Sequence, residues 1–117
     1  MPMRTAAAKP ETILERIRRI ALSLDGTDEV VKWGHPTFRV REKTFAVFEA
    51  FKKEWCLCFR VEMEHQELFL KDPRFFITPY IGKFGWLSLR VHAAPLDWKE
   101  IRHLIKESYR LNDPGKR

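Results

Sequence analysis

Long apolar runs are missing from this chain of 117 residues, and no stretch approaches the ~20 residues that a membrane-crossing helix needs. The first residues, Met1-Pro2-Met3-Arg4-Thr5-Ala6-Ala7-Ala8-Lys9, hold no apolar core of the kind a secretory signal requires. A cytoplasmic protein with no membrane partner is therefore expected. Glycine is scarce at five residues, and seven prolines are scattered, which excludes collagen-like and low-complexity chains. With 44% hydrophobic residues the chain is not disordered either. Its length suits one domain over 1–117, with 1–9 and 112–117 expected to be mobile ends.

Cysteine is nearly absent. Cys56 and Cys58 sit two apart in a strand-like run, side by side on one face and poorly placed for an unstrained disulfide. They read as reduced packing residues. His35, His65, His92 and His103 show no ligand spacing, so neither metal nor cofactor is expected.

Acidic residues are outnumbered, giving a net charge of +6 and a pI near 9.6. Half of that excess belongs to Arg4, Lys9, Asp113, Lys116 and Arg117 in the terminal segments. The remainder is only mildly basic, which permits nucleic-acid binding without requiring it.

What is present is periodicity. Ile13, Leu14, Ile17, Ile20, Ala21 and Leu24 recur at helical spacing behind Pro10, predicting a helix over 10–24 with Arg16, Arg18 and Arg19 in solvent. Asp25-Gly26-Thr27-Asp28 stops it. The period then falls to two. Val30–Trp33 predicts a strand, Gly34-His35-Pro36 a turn or bulge, and Thr37–Arg41 a second strand. After a turn at Arg41-Glu42-Lys43, a strand over Thr44–Ala50 puts Phe45 and Val47 on one face, Ala46 and Phe48 on the other. Beyond the turn at 51–54, Trp55, Leu57, Phe59 and Val61 share a face, with Cys56, Cys58 and Arg60 opposite. Only hairpins join strands this closely, so the sheet is antiparallel.

Glu62–Leu70 returns to a helical period, and Phe75–Tyr80 reads as an extended sheet edge. Ile81–Gly85 is a turn. Trp86–Val91 is a strand with Leu87, Leu89 and Val91 against the core and Trp86, Ser88 and Arg90 on the other face. Asp97 caps a last helix to Leu111, whose stripe is Trp98, Ile101, Leu104, Ile105 and Tyr109. The fold class is α+β: two layers, a mostly antiparallel sheet with helices on one face.

No catalytic constellation emerges. Ser23, Ser88 and Ser108 are the only serines, and none lies in a nucleophile elbow. Glu62, Glu64 and Glu67 read as a solvated helix face. Arg39, Arg60 and Arg90 fall on the second face of three strands, with Trp86 and Ser88 among them. Such a surface suits phosphate and bases, with Arg41, Lys43 and Lys83 extending it at turn tips. Equally, long basic stems simply cover the open face of a sheet.

Four segments taken together resemble the MmcQ/YjbR family: Trp33-Gly34-His35-Pro36-Thr37-Phe38-Arg39-Val40, Lys43-Thr44-Phe45-Ala46, Tyr80-Ile81-Gly82-Lys83-Phe84-Gly85-Trp86-Leu87 and Ile105-Lys106-Glu107-Ser108-Tyr109-Arg110-Leu111. The resemblance implies a CyaY-like, secretion-chaperone-like architecture and a double wing taken to bind DNA. Its wing tips would be Arg41-Glu42-Lys43 and Ile81–Gly85. The chain departs from some members in having Lys83 alone as the charge before Trp86. Trp33, Phe38, Phe45 and Tyr109 are large enough to be core.

Three readings follow. The first is a non-enzymatic, monomeric DNA-binding protein using Arg39, Arg41, Lys43, Arg60, Lys83 and Arg90 on duplex phosphates, weakened by salt. The second is a protein- or peptide-binding module using the open sheet face or an edge. The third, an enzyme, needs a pocket around His35.

Overall fold

The structure, a computed structural model, describes residues 8–116; most of the N-terminal segment expected to be mobile lies outside them. Helix α1 (Pro10–Leu22) begins on a proline, whose missing N–H needs no partner in a first turn. It ends two residues before the predicted stop, where the Ser23 hydroxyl donates to the Ile20 carbonyl at 2.7 Å. Ile13, Ile17, Ile20 and Ala21 form its buried stripe. Arg18 is not in solvent as expected. Its guanidinium forks onto both Glu29 oxygens at 2.7 and 2.9 Å and reaches Glu15 at 2.9 Å, which stitches α1 to the sheet.

Strands β1 (Thr27–Lys32), β2 (His35–Val40), β3 (Lys43–Phe51) and β4 (Glu54–Arg60) form a meander. Each hairpin turns on two residues of positive φ: Trp33 and Gly34 (55° and 81°), Arg41 and Glu42 (45° and 74°), Lys52 and Lys53 (50° and 71°). That is the type I′ geometry, whose twist matches the flanking strands. The first turn thus falls one residue earlier than predicted, and His35 and Pro36 open β2. Proline is tolerated there because pairing with β3 starts only at Thr37. The shift also ejects Trp33 from its expected place in the core: it is 91% exposed.

Helix α2 (Met63–Phe69) follows, then β5 (Phe75–Ile77), β6 (Trp86–Arg90) and α3 (Trp98–Asn112). The sheet runs β1-β2-β3-β4-β6-β5, antiparallel throughout. The fold is therefore the expected α+β one, with the 75–80 segment supplying an edge strand. Among the described residues no helix is long and apolar enough to cross a membrane.

One irregularity reassigns two faces. Phe38 sits opposite Ala46, yet Arg39 sits opposite Thr44, so Phe45 is an extra residue in β3. Such a bulge breaks strict alternation. Phe45 and Ala46 are both buried in the core with Phe48, while Val47 turns to the open face.

The core lies between the helices and one sheet face. Phe38, Phe45, Phe48 and Phe59 are at most 1% exposed, and burying each such side chain stabilises by roughly 1.5–3 kcal/mol. Asp97 caps α3 by accepting from Lys99 and Glu100 N–H at 3.0 and 3.3 Å. Asn112 and Asp113, which the sequence leaves to the C-terminal segment, belong to the fold; Asp113 is fully buried.

Candidate ligand cleft on the open sheet face

Arg39, Arg60 and Arg90 do project from the open face, since their cross-strand partners are Thr44, Trp86 and Cys56. They do not converge. Arg60 and Arg90 mark opposite ends of the β4–β6 ladder, four residues and so roughly 13 Å apart. Arg39 forks onto Asp28 at 2.9 and 2.7 Å, and that bond holds the Asp28 carboxyl below the usual carboxylate range. Arg90 donates to Glu54 at 3.2 Å and to the Pro73 carbonyl at 2.6 Å, with its guanidinium 4.6 Å above the Phe76 ring. Arg60 donates to the Phe84 carbonyl at 3.1 Å and to Asn112 Oδ1 at 3.2 Å.

The turn cations divide. Arg41 bridges Asp25 and buried Asp113, each at 3.0 Å, and so locks its hairpin tip to the chain's C-terminal end. Lys43 is exposed without an ion pair among the described residues. Lys83 lies 5.3 Å over the Phe84 ring, in a 3₁₀ turn (Gly82–Phe84) of which Gly82 is buried. Val61 N–H donates to the Gly85 carbonyl at 2.8 Å. A side chain at Gly85, where φ is 96°, would strike the Val61 carbonyl. All four arginines are thus spent inside the fold.

Between these groups lies a cleft of about 590 Å³. One wall is Lys32 and Trp33, at the tip of the β1–β2 hairpin. The other is Thr78, Pro79, Tyr80 and Ile81, which follow β5. The floor comes from the middle strands: His35, Thr37, Thr44, Val47, Glu49, Phe51 and Trp86. Because β1 and β5 are the two sheet edges, a cleft walled by both requires the sheet to curl, as twisted sheets do.

The two lips share an uncommon feature. Trp33 is 91% and Tyr80 96% exposed, and each has left-handed backbone, with φ of 55° and 71°. At Trp33 the type I′ turn imposes it, as at Arg41 and Lys52, whereas Tyr80 adopts it outside any hairpin, where a bulky residue is rare. Exposing two aromatic rings forfeits the burial that their size makes available.

A polar chain crosses the floor. His35 Nε2 lies 3.3 Å from Glu49 Oε1. The Cys58 thiol donates to the other Glu49 oxygen at 3.4 Å and lies 3.3 Å from Ser88 Oγ, which lies 2.8 Å from Thr78 Oγ1. The chain satisfies these buried groups and fixes the Glu49 carboxylate beside His35. Burial pushes the Cys58 thiol well up and the Cys56 thiol up to about 12, so both stay protonated and neither serves as a nucleophile at neutral pH. The pocket at His35 on which the enzymatic reading depended exists, and it presents a carboxylate–imidazole pair, hydroxyls and aromatic surfaces.

Sequence reasoning singled out His35 but missed Trp33, Tyr80 and Glu49. The signal for Trp33 was its place before Gly34, since X-Gly suits a two-residue hairpin loop. Tyr80, following Pro79, carried no comparable mark.

A family model described as YjbR matches residues 22–111. A crystal structure of a protein from Pseudomonas syringae superposes with a TM-score of 0.69 at 21% identity, covering 85% of this chain and 97% of that one. A Deinococcus radiodurans protein with a domain described as DUF419 gives a TM-score of 0.71 at 18% identity, covering 95% and 80%. At these identities the likeness shows the fold. No curated protein matches the chain.

Proposed function

The chain belongs to the YjbR family, and from that footing we propose that it is a binding module that takes a peptide segment of another protein into the cleft of its open sheet face. The observation that carries this reading is the pair Trp33 and Tyr80, both almost fully exposed, both in left-handed backbone, on the two walls of one cleft. Aromatic anchors of this kind dominate binding energy when a partner covers them. Lys32 stands on one wall; Phe51 leads into Lys52 and Lys53, and Ile81 into the 3₁₀ turn bearing Lys83. Among the described residues none of these lysines has an acidic partner. The one carboxylate in the cleft, Glu49, faces His35. An acidic segment carrying an aromatic or large aliphatic side chain therefore fits best.

Against the duplex-DNA reading stand the partners of Arg39, Arg41, Arg60 and Arg90. Duplex binding rests on cations free to displace counterions, and these four are engaged with Asp28, Asp25, Asp113, Glu54 and backbone carbonyls.

Selection from a displayed library of random peptides tests the proposal. Peptides with carboxylates around an aromatic residue should be enriched. Their affinity for folded Trp33→Ala and Tyr80→Ala variants should fall about tenfold or more, and a short mixed-sequence duplex should not displace them. No enrichment, or peptides indifferent to both substitutions, would overturn it. Tight, salt-sensitive binding of the duplex itself would restore the nucleic-acid reading.

A further inference from the structure

Among the described residues the topology leaves a second surface unpartnered. Strand β1 is a sheet edge six residues long, whereas the opposite edge, β5, has three. Which of its backbone groups point outward follows from the hairpin. In a two-residue loop the flanking residues, Lys32 and His35, form a hydrogen-bonded pair, and bonding alternates from there. Lys32, Val30 and Asp28 bond to β2, and the series continues to Gly26, whose carbonyl accepts from Arg41 N–H at 3.0 Å. The N–H and C=O groups of Thr27, Glu29 and Val31 therefore face away from the sheet. Val31 is also 72% exposed, and Trp33 just beyond it 91%.

We infer that β1 pairs antiparallel with β1 of a second copy of this chain, joining the two sheets into one. The charge sequence of the strand selects the register. With Val30 on the two-fold axis, Glu29 meets Val31 of the second copy as a hydrogen-bonded pair, and Val31 meets Glu29. On the open face, Asp28 then lies opposite Lys32 of the second copy, and Lys32 opposite its Asp28. Moving the axis to Glu29 sets Glu29 against its own copy, and like charges directly opposite destabilise. Moving it to Val31 sets Lys32 against Val30 and loses both charge pairs. Of these three registers, only the one centred on Val30 sets Glu29 against Val31 and forms both Asp28–Lys32 charge pairs. The interface is isologous and closes at two chains. Backbone pairing along one short strand buries little, so the dimer is a weak one. It shares Lys32 with the wall of the cleft, but its pairing rests on the strand edge and not on the cleft being filled.

Sedimentation velocity from about 10 μM to about 1 mM protein tests it by charge exchange. Lys32→Asp places Asp28 against an aspartate, and Asp28→Lys places Lys32 against a lysine; each variant alone should dimerise about tenfold more weakly. Their equimolar mixture should recover wild-type association, because each chain then meets its complement. Asp28→Lys also removes the Arg39 partner, so a thermal melt must accompany it. Val31→Pro supplies a second route. Its N–H points outward, so proline spares the hairpin and should abolish the dimer with the monomer intact. A monomer across the whole range, a mixture that fails to recover, or a dimer indifferent to Val31→Pro would overturn the inference.

Discussion

The hydroxyl of Ser108 on α3 donates to the carbonyl of Phe45 at 2.7 Å and accepts the Arg60 N–H at 2.8 Å. Phe45 is the extra residue of β3, and an extra residue loses part of its ladder bonding. The bulge therefore makes an otherwise unpaired buried carbonyl, and a helix hydroxyl satisfies it. One side chain ties α3 to β3 and β4 at the point where the sheet bends.

Ser108→Ala should accordingly cost about 2–3 kcal/mol. It strands a buried acceptor and a part-buried donor, each worth up to roughly 1–3 kcal/mol unpaired, and a relaxed backbone recovers part of that. Urea unfolding checks the value. A loss below about 0.5 kcal/mol would mean that the bulge does not depend on this helix.

Trp33→Asn should move stability and binding in opposite directions. Asn-Gly is the favoured pair for a type I′ turn, and a bulky residue in left-handed backbone costs roughly 1–2 kcal/mol. The variant should therefore be more stable by about 1 kcal/mol, while losing the peptide binding proposed for the cleft. If it gains stability and keeps the binding, the exposed ring serves no ligand.

Cys56 and Cys58 should resist thiol reagents in the native state. Burial keeps both thiols protonated well above neutral pH, and both side chains are at most 1% exposed. Ellman's reagent near pH 8 should react about a hundredfold more slowly with the folded protein than with the chain in denaturant. Fast labelling of Cys58 without denaturant would show that the floor of the cleft opens to solvent, and of Cys56 that the β3–β4 ladder beside it does.

How much of this was legible in the sequence depended on whether local pattern or long-range contact decided the outcome. Alternation placed Cys56, Cys58 and Arg60 opposite Leu57 and Phe59, as found, because a strand face is a local property. Alternation failed at Phe45 and Ala46, where a bulge of one residue put both on the same side. Face was also not enough for the arginines. Arg39 and Arg90 lie on the expected side, but Asp28 and Glu54 reach them across strands, and pairing register is invisible to a single strand's pattern. Ser108 had a readable mark, a polar residue in register with the stripe of Ile101, Leu104 and Ile105. The cleft had none, since its walls come from opposite edges of the sheet and meet only through curvature.

Acid should reveal the clamp at the start of β5. Asp72 accepts from the Arg74 side chain at 2.8 Å and from the Arg74 backbone N–H at 3.0 Å, and Arg74 also forks onto Glu100 of α3 at 2.9 and 3.1 Å. The bond from Arg74, above all, holds the Asp72 carboxyl below the usual carboxylate range. A carboxyl lowered in the folded state adds stability that is complete above the unfolded value, near pH ~4. As pH falls, the unfolded chain takes up the proton first, so the contribution starts to shrink near pH ~4 and is gone below the folded value. Asp72→Asn removes the titration altogether. Measured by urea unfolding, wild type should exceed the variant by a constant margin from pH ~7 to ~5, and the margin should narrow steadily toward pH ~2. A margin that stays constant into acid would show that Asp72 acts as a neutral turn residue, with the Arg74–Glu100 fork alone fastening β5 to α3.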